Sequence, residues 1–178
     1  NIGPVQYFAI EGLYQYVRST DEIYPMLAES MPVHSEDGST TTVTIRENAK
    51  WQNGEDFTAK DVFAFYYLNH TVVTNYLLSV EAKDDKTVVF HWNPNRTCAN
   101  EVKNLLIAQD MSGTVCYNEF RSYVDEAYQI VSESEDIPAD STTWGAFNKF
   151  SKGELLDRLN VVMDNYKAHK TSWFVATG

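Results

Sequence analysis

Lys50-Trp51-Gln52-Asn53-Gly54-Glu55-Asp56-Phe57-Thr58-Ala59-Lys60-Asp61-Val62 is the stretch that decides how this chain folds. Asn53-Gly54 is a strong turn dipeptide, because both residue types tolerate a positive φ at low steric cost. Thr58 is then placed as a helix N-cap, with Asp61 three residues later in an acidic variant of the capping box. The sequence therefore predicts a strand end, a tight turn and a helix that begins at Ala59.

The large side chains around this turn are expected to hold it together. Trp51 and Phe57 stand on its two sides and can pack over it, while Gly54 supplies the unusual backbone conformation. We therefore interpret the motif residues as structural and not as ligand contacts. These residues are Trp51, Asn53, Gly54, Phe57, Thr58 and Asp61.

The segments upstream of the turn predict extended structure. Val43 and Ile45 alternate with polar residues over 42–46, which is typical of a half-buried strand. The segment 25–31 is expected to place Leu27 and Met31 in the core before Pro32 ends it.

The segments downstream predict a hairpin followed by helices. Strands are expected over 80–83 and 87–92, on either side of a polar turn. A short helix is expected over 99–108, and two amphipathic helices follow, one over 117–133 and one that begins after the capping box at 151–154. The fold class predicted for 1–178 is a single α+β domain, a mixed β-sheet with packed helices.

Four short motifs together resemble one known family. They are Glu11-Gly12-Leu13, the Pro-x-Leu-Ala-Glu-Ser of 25–30, a strand ending in Ile45-Arg46, and the Trp-x-Asn-Gly-x-x-Phe-Thr-Ala-x-Asp-Val of 51–62. In this order they look like the front of the extracellular solute-binding proteins of family 5, the peptide- and nickel-type receptors of ABC importers. The family pattern has Leu where this chain has Ile45 and Asp where it has Asn53. The resemblance covers 1–110, whereas 111–178 is helical and divergent.

The resemblance implies a fold and a function. The fold is that of the small N-terminal lobe of oligopeptide-binding periplasmic receptors of class II, and the chain is a fragment of a larger solute-binding protein. The function is extracytoplasmic binding of an oligopeptide or similar small solute, in the periplasm or on a membrane-anchored lipoprotein. The implied partners are the solute, the remaining lobes of the same chain and an ABC permease in the membrane.

Three residues are candidates for contact with the solute. Tyr76 follows the first long helix, where an aromatic residue of similar receptors can face the cleft between lobes, and aromatic rings give a large contact area at low entropy cost. Gln109 and Asp110 follow the apolar run 105–108, in a segment that also approaches the cleft in the family. The alternatives are core packing for Tyr76 and an exposed loop for the other two.

Composition and motifs argue against several other functions. Lys and Arg total 14 against 25 Asp and Glu, which gives a net charge of −11 and disfavours nucleic acid as a partner. The four histidines are scattered without a zinc-binding spacing, and the sequence lacks a nucleophile elbow, a P-loop and a dinucleotide-binding motif. We expect no enzyme activity, no metal site and no cofactor. The sequence contains no run of about 18 apolar residues, so it predicts no membrane-spanning helix.

Two questions stay open at the level of sequence. Cys98 and Cys116 are 18 residues apart and can be either two thiols or a disulfide that stabilises the fold by about 3 kcal/mol. The alternative function is a cell-surface protein-interaction module without a small-molecule ligand. A large exposed apolar patch on the last two helices would favour that alternative.

Overall fold

A computed structural model describes residues 11–68, 76–109, 114–133 and 153–177. The β-strands are β1 (Tyr14–Val17), β2 (Glu22–Pro25), β3 (Val33–His34), β4 (Thr40–Thr44), β5 (Leu77–Ala82) and β6 (Thr87–Trp92). The α-helices are α1 (Ala59–Leu68), α2 (Asn100–Gln109), α3 (Tyr117–Ser132) and α4 (Glu154–Thr177). The predicted α+β class is confirmed.

The main sheet has four strands in the order β3-β4-β6-β5, and each neighbouring pair is antiparallel. In its centre Val43 lies opposite Val88, which in turn lies opposite Ala82. The predicted alternation in β4 is confirmed, since Val43 and Ile45 are fully buried while Thr44 is exposed. The hairpin of β5 and β6 is also confirmed, with β5 beginning three residues earlier than predicted.

Arg46 fastens the β1–β2 ribbon to the main sheet. Its Nε donates to the Ala28 carbonyl at 3.0 Å and its Nη2 donates to the Pro25 carbonyl at 3.3 Å. The Glu29 amide also donates to the Thr44 carbonyl at 2.8 Å. Two separate segments of the resemblance, 25–30 and 45–46, therefore meet in space.

The prediction that Met31 enters the core is wrong, because this side chain is 42% exposed. Leu27 is half-buried against the core and Ala28 is fully buried. The Tyr14 ring is buried beneath this segment, and its hydroxyl donates to the Ser30 carbonyl at 2.9 Å. The core beside this segment is thus formed by Tyr14 and Ala28, while Met31 points towards solvent.

The turn at 51–55 combines a β-turn with a bulge. The Gly54 amide donates to the Trp51 carbonyl at 2.9 Å, and the Trp51 amide donates to the Glu55 carbonyl at 2.8 Å. Only Gly54 takes a positive φ, of 88°, so Asn53 does not use the left-handed conformation that it could tolerate. The Asn53 side-chain oxygen instead accepts the Glu55 amide at 3.0 Å. This pattern is that of a three-residue hairpin loop closed by a glycine bulge.

The rings on either side of the turn meet as predicted. The Trp51 and Phe57 centroids are 5.5 Å apart with the planes tilted by 56°, and Phe57 is buried. Lys86 connects the β5–β6 hairpin to this turn, because its Nζ donates to the Phe57 carbonyl at 2.9 Å.

Helix α1 begins at Ala59, as predicted, and Asp61 caps it. The Asp61 Oδ2 accepts the Thr58 amide at 2.6 Å and the Thr58 hydroxyl at 3.2 Å. The capping box therefore works mainly through the carboxylate, while the Asp61 amide bonds to the Thr58 backbone carbonyl instead of its hydroxyl. The Ala59 amide donates to the Asp85 carbonyl at 2.8 Å, which ties the helix start to the β5–β6 hairpin.

Asp61 also holds the start of α3. Its Oδ1 accepts the Tyr117 amide at 2.7 Å, and its backbone carbonyl accepts the Val115 amide at 3.0 Å. The side chain is only 3% exposed. One buried carboxylate thus satisfies backbone donors at the beginnings of two helices, although Asp61 and Tyr117 are 56 residues apart in sequence.

Helices α3 and α4 pack on each other, and α3 also packs on α1. The amphipathic character predicted for both helices is confirmed, because each buries one apolar stripe. The α3 stripe consists of Phe120, Val124, Ala127 and Ile130, and the α4 stripe contains Leu159, Val162, Met163 and Tyr166. Phe120 has non-helical φ and ψ angles of −106° and 16°, and its ring meets that of Tyr166 edge-on at 5.1 Å. Helix α4 begins at Glu154, directly after Gly153, which has a positive φ of 114° and whose carbonyl accepts the Asp157 amide at 3.1 Å. Gly153 therefore precedes the helix as its cap, while the predicted cap Ser151 lies outside the described residues.

Replacing Asp61 with Asn tests the double cap. We expect the free energy of unfolding to fall by about 2 kcal/mol, because one amide oxygen cannot accept from both helix starts and the new NH2 group would face a backbone donor. Chemical denaturation measures this change. Asp85→Asn is the matched control, since the Asp85 side chain is exposed and only its backbone carbonyl is used. Equal stabilities for the two variants would contradict the role of Asp61.

Replacing Gly54 with Val tests the turn. No heavy atom lies within 4 Å of a Cβ built at Gly54, so the whole cost comes from placing a β-branched residue at positive φ. We expect a loss of about 2 kcal/mol, measured as a lower melting temperature. Gln52→Val, in the same exposed turn, should leave the melting temperature nearly unchanged. An unchanged melting temperature for Gly54→Val would show that the turn does not need this glycine.

Candidate functional site

The three candidate solute contacts lie at the ends of elements. Tyr76 immediately precedes β5, is 37% exposed, and its carbonyl accepts the Asn93 amide at 2.7 Å. Gln109 is the last residue of α2, and its side chain lies outside what the structure describes. Asp110 lies outside the described residues altogether. The described structure therefore does not bring these three side chains together, and their contact with a solute remains a prediction.

Two concave surfaces exist among the described residues. The first, which we name the turn pocket, has a volume of about 220 Å³ and lies where the turn meets the start of α3. Its lining residues are Asp56, Thr58, Lys60, Asp61, Asp85, Tyr117, Asn118 and Arg121. Thr58 and Asp61, which the sequence analysis singled out, are thus brought together here.

The charged groups of the turn pocket are largely engaged with the protein itself. The Lys60 Nζ and the Arg121 Cζ lie 5.8 and 6.0 Å from the centroid of the Tyr117 ring. Arg121 also donates to Asp125 at 3.2 Å. The geometry is therefore that of cation–π and ion-pair contacts that fix α3, and not of a prepared ligand cradle.

The environment of Asp61 explains why it must be well hydrogen-bonded. Burial raises the pKa of the Asp61 carboxyl, and the hydrogen bonds from the Tyr117 and Thr58 amides oppose that rise. The buried Trp51 Nε1 makes no hydrogen bond of normal geometry with the described residues. It nevertheless lies near enough to Asp61 to favour the charged carboxylate.

The second concave surface is the Lys103 groove, with a volume of about 520 Å³. The β3–β4 turn, the end of β6 and the start of α2 form its walls. Its lining residues are Ser35, Glu36, Asp37, Gly38, Ser39, Trp92, Asn93, Pro94, Thr97, Cys98, Asn100 and Lys103.

Lys103 is the central side chain of this groove, and it is only 4% exposed. Its Nζ donates to the Gly38 carbonyl at 2.7 Å and to the Asn100 Oδ1 at 3.2 Å, and it lies 5.7 Å from the centroid of the Trp92 ring. Gly38 has a φ of 68°, and a Cβ there would stand 3.1 Å from this Nζ. Glycine is thus needed both for the turn and for the approach of the ammonium group.

Asp37 shapes the turn beside Lys103. Its Oδ1 accepts the Ser35 hydroxyl at 2.7 Å, the Ser39 hydroxyl at 2.8 Å and the Ser39 amide at 3.0 Å. These hydrogen bonds, led by the one from the Ser35 hydroxyl, lower the pKa of Asp37 to about 2. The carboxylate is therefore charged at neutral pH and belongs to the turn.

Both cysteines are free thiols in the structure, which decides between the two alternatives left by the sequence. Cys98 lines the Lys103 groove and Cys116 is buried at the start of α3. Burial raises the pKa of the Cys98 thiol, while the positive charge of Lys103 opposes the rise. Burial likewise raises the pKa of the Cys116 thiol. Neither environment activates a nucleophile.

Neither Lys103 nor Gly38 was predicted from the sequence. A usable signal existed, because Lys103 precedes the buried Ile107 by four residues and so lies on the buried stripe of α2. A lysine on such a stripe needs an acceptor, and the exposed carbonyls of a glycine turn are a common source.

The described residues offer little for metal binding or membrane insertion. Within the described ranges, no group of three or more His, Cys, Asp or Glu side chains could hold a metal ion. Over the same ranges, no helix has both the length and the apolarity to cross a bilayer.

Lys103→Met tests whether this lysine stabilises the groove. The variant leaves the Gly38 carbonyl without its donor, so we expect the free energy of unfolding to fall by about 2 kcal/mol in chemical denaturation. Lys83→Met is the matched control, because the Lys83 side chain is exposed. If both variants were as stable as the parent, the hydrogen bonds of Lys103 would carry no net stabilisation.

Known proteins share this chain's fold and part of its sequence. Protein XP55 of Streptomyces lividans is 36% identical over 81 residues, which cover 41% of this chain and 15% of that protein. An oligopeptide ABC transporter substrate-binding domain from Bacillus anthracis is 26% identical with a TM-score of 0.50, over 64% of this chain and 25% of the other. The oligopeptide-binding protein AppA of Bacillus subtilis, solved with a nonapeptide, is 21% identical with a TM-score of 0.51, over 66% of this chain and 23% of AppA.

The chain thus spans about a quarter or less of the length of these relatives. The model of the bacterial extracellular solute-binding proteins, family 5 (Middle), matches residues 22–148, which is well over half of the chain and contains the whole turn at 50–62. The chain therefore belongs to the family 5 extracellular solute-binding proteins.

Proposed function

We propose that this chain is part of the substrate-binding component of an ABC importer, which binds an oligopeptide or a similar small solute and delivers it to a membrane permease. The observation that carries this proposal is the family match over residues 22–148. The relatives named above include an oligopeptide-binding protein solved with a nonapeptide, which supports a peptide as the solute class.

The internal use of the motif residues supports a scaffolding role for this part of the receptor. The Trp51 ring packs on Phe57, Gly54 supplies the positive φ that the turn requires, and Asp61 caps two helices. None of these groups is left over for a ligand. We therefore propose that most solute contacts come from other lobes of the receptor, which close around the solute.

Tyr76 is the proposed contribution of the described residues to the solute site. Its partly exposed ring offers apolar area and a hydroxyl, which together suit a peptide side chain or backbone. Gln109 and Asp110 remain proposed contacts at the end of α2 and beyond it. Amide and carboxylate groups could bind the amides and the amino terminus of a peptide.

The proposed role is binding without chemistry, outside the cytoplasm. The two concave surfaces support it, because the side chains of Lys103, Asp61 and Arg121 in them bind the protein's own atoms. These three groups form no nucleophile–base pair. A lipoprotein anchor and a cognate permease are part of the same proposal. They follow from the receptor role and not from a contact in this chain.

The alternative, a protein-interaction module, is less well supported. The apolar stripe of α4 is buried against the rest of the described structure, and Val161 is the large apolar side chain of that helix that the structure shows exposed. Within 117–130 and 154–170, where the exposure of the side chains is described, this is too little for a docking surface.

Ligand-induced stabilisation tests the proposed function. A mixture of oligopeptides should raise the melting temperature of the full-length receptor, by an amount equivalent to about 2.7 kcal/mol at a hundredfold excess over Kd. The 178-residue chain alone should show no shift, because most contacts are proposed to lie elsewhere. Tyr76→Ala should weaken binding by the full-length receptor, whereas Tyr24→Ala, at a tyrosine that is 46% exposed, should not. A full-length receptor that no peptide stabilises would refute the peptide proposal.

A further inference from the structure

The turn at 51–55 carries a chemical feature that its structural role does not require. Asn53-Gly54 is the only Asn-Gly pair in the sequence. Both residues are exposed, and a Cβ built at Gly54 would meet no heavy atom within 4 Å. The pair therefore lies at the exposed surface of the turn, with no neighbouring side chain over Gly54.

We propose that Asn53 is a deamidation site of the folded chain. The Gly54 peptide nitrogen gives up its proton to solvent base and attacks Asn53 Cγ. The new N–Cγ bond displaces the Nδ2 amine, which takes up a proton and leaves as ammonia, so that a five-membered succinimide remains. Water then opens the ring at one of its two carbonyls and gives Asp or isoAsp. The reaction needs no oxidant or reductant.

The local geometry favours this reaction in two ways. Glycine has no Cβ to crowd the ring closure, and its wide conformational range lets the backbone move towards the cyclic intermediate. The Glu55 amide donates to the Asn53 Oδ1 at 3.0 Å, which polarises the Cγ carbonyl that is attacked. One hydrogen bond opposes the reaction, because the Gly54 amide donates to the Trp51 carbonyl at 2.9 Å. This bond lies at the exposed tip of a loop, where local opening costs little.

The chain has a similar glycine turn at Asp37-Gly38, which lacks these conditions. The Asp37 carboxylate is held by three hydrogen bonds from Ser35 and Ser39, and its lowered pKa keeps it ionised and therefore a poor electrophile. Gly38 is also covered by Lys103, whose Nζ would stand 3.1 Å from a Cβ there. The proposed reactivity is thus specific to the turn at 53–54.

The two products should affect the fold differently. Asp at position 53 keeps the oxygen that accepts the Glu55 amide, so the turn should survive. The isoAsp product adds one backbone atom between residues 53 and 54, which disrupts the paired hydrogen bonds between Trp51 and Glu55. Glu55 in turn accepts Asn118 Nδ2 at 3.3 Å, so the start of α3 lies within reach of this damage.

Peptide mapping by mass spectrometry tests the proposal on the folded 178-residue chain, incubated at mildly alkaline pH. We expect a mass gain of one dalton at Asn53, about tenfold faster than at Asn95, an exposed turn asparagine that is followed by Arg. A tenfold faster reaction corresponds to an activation barrier that is lower by about 1.4 kcal/mol. Isoaspartyl methyltransferase labelling should detect part of the product. Asn53→Gln should abolish the fast reaction, and Asn53→Asp should keep the parent melting temperature.

A sample unfolded in urea is the reference that makes a negative result decisive. If Asn53 reacts in urea but stays intact in the folded chain, the fold protects this site and the proposal is wrong. Equal rates at Asn53 and Asn95 in the folded chain would also overturn it.

Discussion

The buried carboxylate of Asp61 is the constraint on which the rest of this structure depends. It accepts the Thr58 amide at the start of α1 and the Tyr117 amide at the start of α3, and the carbonyl of the same residue accepts Val115. Burial disfavours the charged form of this carboxylate, and the hydrogen bonds from the surrounding donors offset that cost. The start of α3, on which α4 packs, is therefore positioned by a residue of the turn motif that lies far away in sequence.

The architectural use of this motif explains why it identifies a family without identifying a solute. The Arg46 guanidinium donates to the Pro25 and Ala28 carbonyls, and the Lys86 ammonium donates to the Phe57 carbonyl. The Asp61 carboxylate accepts backbone amides at the starts of two helices. These hydrogen bonds are made inside the protein, so substitutions that remove them should change stability before they change ligand choice. Variation in the solute site can then occur elsewhere in the receptor while this scaffold stays the same.

Local patterns were sufficient to predict most of the fold. The alternation at Val43 and Ile45, the cap at Thr58 and the stripe of α4 each depend on neighbours within a few residues, and each is found in the structure. The contacts between Asp61 and Tyr117 and between Lys103 and Gly38 join residues 56 and 65 apart, so no local pattern could reveal them. Met31 was misplaced for a similar reason, since the burial of Tyr14 against this segment joins residues that are 16 apart. The proposed solute contacts could be named only by resemblance, because Tyr76 carries no local signal for ligand binding and the Gln109 side chain and Asp110 lie outside what the structure describes.

Native-state hydrogen exchange at the Thr58 and Tyr117 amides tests the central role of Asp61 most directly. If one carboxylate holds both helix starts, the two amides should exchange with the same opening free energy, close to that of global unfolding. A Tyr117 amide that exchanges through a low-energy local opening while Thr58 stays protected would contradict the account, because α3 could then detach without disturbing the turn.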